Sequence, residues 1–249
     1  ASSVAEAVSL VFFIIYTGIT ADKRKYGFRR AFTFRPQLLK GMLSISGWTM
    51  VQSFLSVSVW FIFFLAIEHL GERPLAVTNI VRNIAAMLIM IISAFATTAG
   101  ALISNQIGAG EQRFLFKTCR MTLNLAYALL IPLLIVLCLF PEPILRIFTD
   151  NPSLITASIP SVYVMATSTL ISAPAFILFN AVSGTGNTRA GFVMEMITLA
   201  VYTAAVYYGV IVLKPDVALC WFSEHIYGIV LISLTWWYLK SGRWRGKKV

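Results

Sequence analysis

Hydrophobic residues in this chain run together in long blocks that are apolar on every face, with neither the two-residue alternation of a half-buried strand nor the single stripe of a surface helix. Seven such blocks cover approximately residues 3–19, 41–67, 74–104, 121–141, 153–182, 190–213 and 217–239. Those at 41–67, 121–141 and 153–182 contain no Asp, Glu, Lys or Arg. A bilayer core of about 30 Å needs roughly 20 apolar residues of helix, so every block meets or approaches the length of a span. The longer ones leave room for tilt. Strands of a transmembrane barrel would alternate apolar and polar positions, which these blocks do not. The pattern therefore predicts an all-α integral membrane protein with seven transmembrane helices.

Composition agrees. Of 249 residues, 58% are hydrophobic and 12% are charged, against about 25% charged in a soluble domain. Lipid must cover much of such a surface. The net charge of +10 is explained by where the basic residues lie, so no nucleic-acid partner is expected. Seven lie in 21–40, five follow residue 239, Arg113, Lys117 and Arg120 fall between the third and fourth blocks, and Arg189 between the fifth and sixth. The alternate connections hold only Arg73, Arg146 and Lys214. The positive-inside bias then places the first connection and the C-terminus in the cytoplasm of a multi-pass cell-membrane protein, with Ala1 outside. Trp236, Trp237, Tyr238 and Trp244 gather where an inner aromatic belt belongs. Cys119, Cys138 and Cys220 form neither a disulfide framework nor a metal-ligand spacing, and no metal or other cofactor is expected.

The polar segment 21–40 separates one lone block from a group of six joined by short connections. In FPEPILRIFTDNP, the spacing of Ile144, Leu145, Ile147 and Phe148 predicts a short amphipathic helix. IGAG at 107–110 and SGTGNT at 183–188 are read as helix-ending turns, because Gly supplies positive φ and no phosphate-loop signature accompanies either. The first block follows no basic segment and no initiating Met, so the expectation is of a piece of a longer chain rather than a cleaved signal.

GERPLAVTNIVRN, the block ending NQIGAGEQ, the segment ILRIFTDNPSLI and the turn NAVSGTGNTR together resemble the multidrug and toxic-compound extrusion (MATE) family. Members have two six-helix lobes joined by a cytoplasmic linker. The resemblance implies that residues 1–20 are the last helix of an N-terminal lobe that is otherwise missing, 21–40 the basic linker, 41–240 the C-terminal six-helix lobe and 241–249 a cytoplasmic tail. It implies a two-lobe secondary transporter, an antiporter coupled to Na⁺ or H⁺ that exports amphipathic, often cationic drugs or metabolites by alternating access. Its partners would be the small-molecule substrate, the lipid bilayer and the missing lobe. Two departures stand out: Trp48 occupies a position where many members have Pro, and Ser56 and Ser172 fall near positions where several carry acids. A lipid-linked saccharide flippase of related architecture is the alternative, favoured by a strongly cationic cavity. An intramembrane enzyme needs a convergent nucleophile and base that the two distant His do not supply. A non-transporting accessory subunit is the remaining rival.

A charge near the bilayer centre costs at least about 2.5–3.5 kcal/mol and normally faces protein or water, which singles out Arg82, Glu195 and Glu224. Arg82 and Glu224 each lie about eight residues from the outer start of their spans, so a buried ion pair between them is expected. Glu195 reads either as an interfacial carboxylate or as part of a site, and Glu6 as interfacial. Pro174 removes one backbone donor and predicts a kink. Thr167, Ser168 and Ser172 precede it, so freed carbonyls beside hydroxyls could hold a small cation, unless the hydroxyls bond back to the helix. Gln52, Ser56, Asn79 and Asn180 add polar lining, and Phe54, Trp60, Phe176 and Phe179 offer aromatic faces to a cationic compound. His225 is read as a hydrogen-bonded structural residue.

Overall fold

The structure is a computed structural model that describes residues 2–20 and 36–245. Among these residues every element is helical: α1 Ser2–Thr20, α2 Pro36–Glu68, α3 Glu72–Gly108, α4 Leu115–Leu139, α5 Pro141–Leu145, α6 Pro152–Gly184, α7 Thr188–Val206, α8 Val217–Cys220 and α9 Ser223–Ser241. Six helical stretches are long and apolar enough to cross a membrane, and α1 carries a shorter apolar stretch, Glu6–Thr20. The protein is an all-α membrane protein, as its hydrophobic blocks predict. It divides into two compact units, Ala1–Ser44 and Ile45–Val249. Most of the linker expected at 21–40 lies outside the described residues, as do tail residues 246–249; residues 36–40 already belong to α2.

Within the second unit, α6 is the central helix. Its most apolar window is 56% buried inside the protein, against 22–33% for the other spans. It packs against α3, α9 and α4. The α3–α6 seam is made by small and branched residues, with Ile92, Ala96, Ala99, Ala173 and Ala181 all fully buried. Near the C-terminal ends of both helices the backbones nearly touch: a Cβ built on Gly184 would lie 2.5 Å from the carbonyl oxygen of Gly100. Small residues permit that approach and let dispersion hold the helices where lipid supplies no hydrophobic drive. The opposite faces of α2 and α4 expose Phe54, Met121 and Ile135, as a lipid-facing surface should.

Local chemistry fixes the helix ends. Asn151 precedes Pro152 and caps α6, its side-chain oxygen accepting from the Ser153 amide at 3.0 Å. Asn187 caps α7 by accepting from the Ala190 amide, and its amide group donates to Tyr238 on α9. Both glycine-rich turns end helices: Gly110 and Gly186 take φ of +78° just beyond α3 and α6. The amphipathic segment forms α5 and the turn after it, with Leu145 fully buried and Ile144 and Phe148 against the core.

Two features depart from the simple spans. α7 ends in a π-helical turn over Tyr207–Val212. The block expected at 217–239 is interrupted at Trp221 and Phe222, so Glu224 sits in the first turn of α9. By contrast α6 runs as one helix through Pro160 and Pro174. The Leu170 carbonyl, deprived of the amide that Pro174 lacks, accepts instead from the Tyr127 hydroxyl on α4 at 2.7 Å.

Candidate functional site

Among the described residues, a cavity of about 530 Å³ opens between α2, α6, α7 and α9, with Ile89 of α3 closing one side. Its polar wall begins with Glu195 on α7, which is 3% exposed. One carboxylate oxygen of Glu195 accepts from the Ser56 hydroxyl at 2.8 Å and from the Tyr227 hydroxyl at 2.9 Å. Ser56 shares its single proton with the Gln52 carbonyl at 3.0 Å, so it links the carboxylate to the turn of α2 that precedes it. Glu224 on α9 accepts from the Tyr202 hydroxyl at 2.7 Å.

These contacts are reciprocal. α7 contributes Glu195 and Tyr202, α9 contributes Tyr227 and Glu224, and each tyrosine donates to the glutamate of the other helix. The spacings explain it: Tyr202 lies seven residues after Glu195 and Tyr227 three after Glu224, so each pair shares one helical face. The two rings meet edge to face at 5.9 Å, and Phe176 extends the row at 6.4 Å from Tyr227. The second oxygen of each glutamate receives no hydrogen bond from any described residue.

Neither glutamate has a cationic partner among the described residues, whose one ion pair is Arg146–Glu142 at the surface. This corrects the expected pair between Arg82 and Glu224. The Arg82 guanidinium lies 5.0 Å over the Phe64 ring, and Glu224 is committed to Tyr202. Equal depth did not make neighbours of the two residues, because α9 packs on α6 and α7 while α3 packs on α6 and α4. The interfacial reading of Glu195 is also corrected, since its carboxyl is enclosed by α2 and α9. When both glutamates are ionised the cavity holds two negative charges in a medium where each is costly, so it favours a cation.

Of the sequence-derived candidates, Gln52, Ser56, Ser172, Asn180, Glu195 and Glu224 all line this cavity, together with Trp60, Phe176 and Phe179. The others lie elsewhere. Asn79 donates to the Leu75 carbonyl, and Phe54 is exposed on the outer face. The hydroxyls before Pro174 bond back to their own helix: Thr167 to the Val164 carbonyl, Ser168 and Thr169 to that of Met165, and Ser172 to that of Ser168. The Leu170 carbonyl that Pro174 frees is met by Tyr127 from α4. His225 bonds Thr167 through Nε2 at 2.9 Å, while its buried Nδ1 meets no hydrogen-bond partner among the described residues. Sequence reasoning missed Tyr202 and Tyr227, whose signal was the shared helical face with a glutamate.

The MatE family model matches residues 49–208, more than half of the chain and most of the cavity wall. No curated protein matches the chain in sequence. Among solved structures, the Vibrio cholerae MATE transporter VcmN in its bent form is similar at 17% identity and a TM-score of 0.75, covering 84% of this chain and 48% of its own. A multidrug resistance MATE family transporter of the MOP superfamily, in its outward-facing conformation, is similar at 13% identity and a TM-score of 0.73, covering 84% and 47%. A MOP superfamily transporter from Pyrococcus furiosus is similar at 12% identity and a TM-score of 0.71, covering 80% and 44%. At these identities the likeness is one of fold, and the chain spans less than half the length of each.

Proposed function

This chain belongs to the MatE family, and we propose that it carries the C-terminal six-helix lobe of an antiporter that exports amphipathic, often cationic compounds in exchange for Na⁺ or H⁺. The observation that carries this reading is the pairing of two glutamates, without a cationic side chain, in one aromatic-lined cavity between spans. Carboxylates at that depth are costly unless protonated or balanced by a bound cation. A site that exchanges one cation for another uses that cost in both halves of a cycle. Trp60, Phe176 and Tyr227 line the cavity and offer ring faces to the positive charge of an organic cation. The reading is of a transporter and not an enzyme. A saccharide-lipid flippase would favour a basic cavity, and this one is acidic.

Export by alternating access works between two lobes. Joined to a matching N-terminal lobe and reconstituted in proteoliposomes, the chain should drive ethidium efflux on an imposed Na⁺ or proton gradient, while alone it inserts without exporting. Robust gradient-driven efflux by the chain alone would overturn the half-transporter reading. For orientation, single cysteines at residues 30 and 242 should react only from the cytoplasmic side, and those at 72 and 215 only from outside; the opposite pattern would invert the topology.

A further inference from the structure

A groove of about 330 Å³ lies away from the glutamates, between α3 and α4. Ala94, Thr98 and Leu102 form its α3 wall, and Thr118, Met121 and Leu125 its α4 wall. Along α3 it runs from Ala94 to Gln106, about 18 Å of helix. Its hydroxyls are committed within its own walls. Thr98 donates to the Ala94 carbonyl and Thr122 to that of Thr118, each at 2.8 Å, while Thr118 and Gln106 bond one another. What the groove offers an occupant is therefore apolar surface. Its rim residues Met121 and Leu125 are exposed and continue along α4 into exposed Leu129, on the lipid-facing side of the helix.

One end of the groove is charged. Phe114, Thr118, Met121 and Leu125 follow at three- and four-residue spacing, so Phe114 stands on the groove's own face, just before α4. The Arg113 guanidinium lies 4.7 Å and the Lys117 ammonium 5.8 Å from the centre of the Phe114 ring. Two exposed cations are thereby held beside one ring. Neither has an acidic partner among the described residues; Glu111, two positions before Arg113, pairs with neither. Gln106, near the end of α3, and Thr118, near the start of α4, mark this end of the groove. It therefore opens at headgroup level and runs from there toward the bilayer centre. Cations above an apolar channel match one ligand chemistry, an anionic phosphate that carries an acyl chain.

We propose that the α3–α4 groove is a binding site for an anionic glycerophospholipid: one acyl chain lies along Thr98, Leu102 and Met121, and the phosphate rests between Arg113 and Lys117. The site stands apart from the export reading, because no residue lines both the groove and the glutamate cavity. Native mass spectrometry of the delipidated chain in detergent, titrated with dioleoyl phosphatidylglycerol or dioleoyl phosphatidylcholine, tests it. Wild type should retain one phosphatidylglycerol in preference to phosphatidylcholine. Arg113→Gln with Lys117→Gln should weaken phosphatidylglycerol binding about thirtyfold, as the loss of two surface cation contacts, and erase the preference. Both residues are exposed, so this pair keeps the fold. Arg243→Gln with Arg245→Gln removes the same charge from the C-terminal end and should leave binding unchanged. Thr98→Trp fills the groove without altering charge and should also weaken phosphatidylglycerol binding, with thermal unfolding of the lipid-free variant showing that it is folded. Equal losses in the two double variants would reduce the effect to overall basic charge, and undiminished binding by folded Thr98→Trp would take the acyl chain out of the groove; either result overturns the site. Wild type that retains the two lipids alike overturns it as well.

Discussion

The seam between α3 and α6 and the cavity between α2, α7 and α9 are both membrane-embedded and both rich in hydroxyls, yet they spend those hydroxyls in opposite ways. In and around the seam, Thr97, Thr98, Ser168 and Thr169 donate within their own helices, so these four hydroxyls make no demand on the neighbour. The helices are then free to approach until Gly100 and Gly184 nearly touch. Around the cavity, Ser56, Tyr202 and Tyr227 donate across helices to carboxylates. Bonds of the first kind are indifferent to ions. Bonds of the second kind change whenever a glutamate gains or loses a cation, and they join α7 to α2 and to α9. The difference teaches where rigidity and responsiveness are located: in backbone proximity at the seam, and in charge-dependent side-chain contacts at the cavity.

Glycine substitutions give the largest expected effect and the most direct way to break this comparison. A Cβ at Gly184 meets backbone, 2.5 Å from the Gly100 oxygen, and backbone cannot step aside without separating α3 from α6. Gly184→Ala should therefore cost about 3 kcal/mol, the upper range for overpacking. At Gly228 on α9 the obstacle is the Cγ2 methyl of Ile171 at 2.7 Å, which a rotamer change relieves in part, so Gly228→Ala should cost less. At Gly191, beside the cavity, the nearest atoms lie at 3.7 Å, an ordinary contact, and Gly191→Ala should be neutral or slightly stabilising through its helix propensity. Thermal unfolding of the purified variants checks the order. A Gly184→Ala protein as stable as Gly191→Ala would mean that the seam is no tighter than the cavity wall.

A smaller effect sharpens the account of the seam. Tyr127→Phe removes the donor to the Leu170 carbonyl, and an unmet carbonyl in the membrane should cost about 1 kcal/mol. Pro174→Ala restores an amide four residues downstream of Leu170. In that background the tyrosine becomes redundant, and Tyr127→Phe should cost close to nothing. An equal cost in both backgrounds would show that Tyr127 contributes packing rather than the missing hydrogen bond.

The spans were legible because lipid imposes the same demand on every turn of a helix, and an unbroken apolar block has few other readings. The glycine turns were legible for a similar reason: their chemistry is local. What depends on neighbours was not. Trp221 and Phe222, where α8 gives way to α9, include neither Gly nor Pro, so nothing local marks the break that brings Glu224 into a first turn. Glu195 resembled an interfacial acid because its distance from the helix start is visible in sequence, whereas the enclosure by Ser56 and Tyr227 is tertiary. Tyr202 and Tyr227 shared faces with the two glutamates, but aromatic residues in spans usually meet lipid or pack, and the spacing alone did not separate donors from fillers. Ser56 shows what remains hidden longest. It stands near a position where the resemblance leads one to look for an acid, and its hydroxyl reaches an acid supplied by another helix.

An effect of similar size concerns Arg82, which decides whether the cavity's charge is left open or balanced from the α3 side. Depth along the helices invited a pair with Glu224, and such a pair would cost about 3–5 kcal/mol when one partner is removed. The guanidinium instead lies 5.0 Å from the centre of the Phe64 ring on α2, a contact of about 0.5–2 kcal/mol, while Glu224 is held by Tyr202. Arg82→Gln should therefore cost about 1 kcal/mol, as loss of a cation–π contact. Its cost should be the same whether residue 224 is Glu or Gln, since sites without shared partners add to within about 0.3–0.5 kcal/mol. Unfolding of wild type, the two single variants and Arg82→Gln with Glu224→Gln closes the cycle. Recovery of more than about 1 kcal/mol in the double variant would exceed that additivity limit and restore the ion pair. Glu224 would then already be neutralised by α3, the cavity would carry one open charge instead of two, and the separation between an inert seam and a responsive cavity would no longer hold.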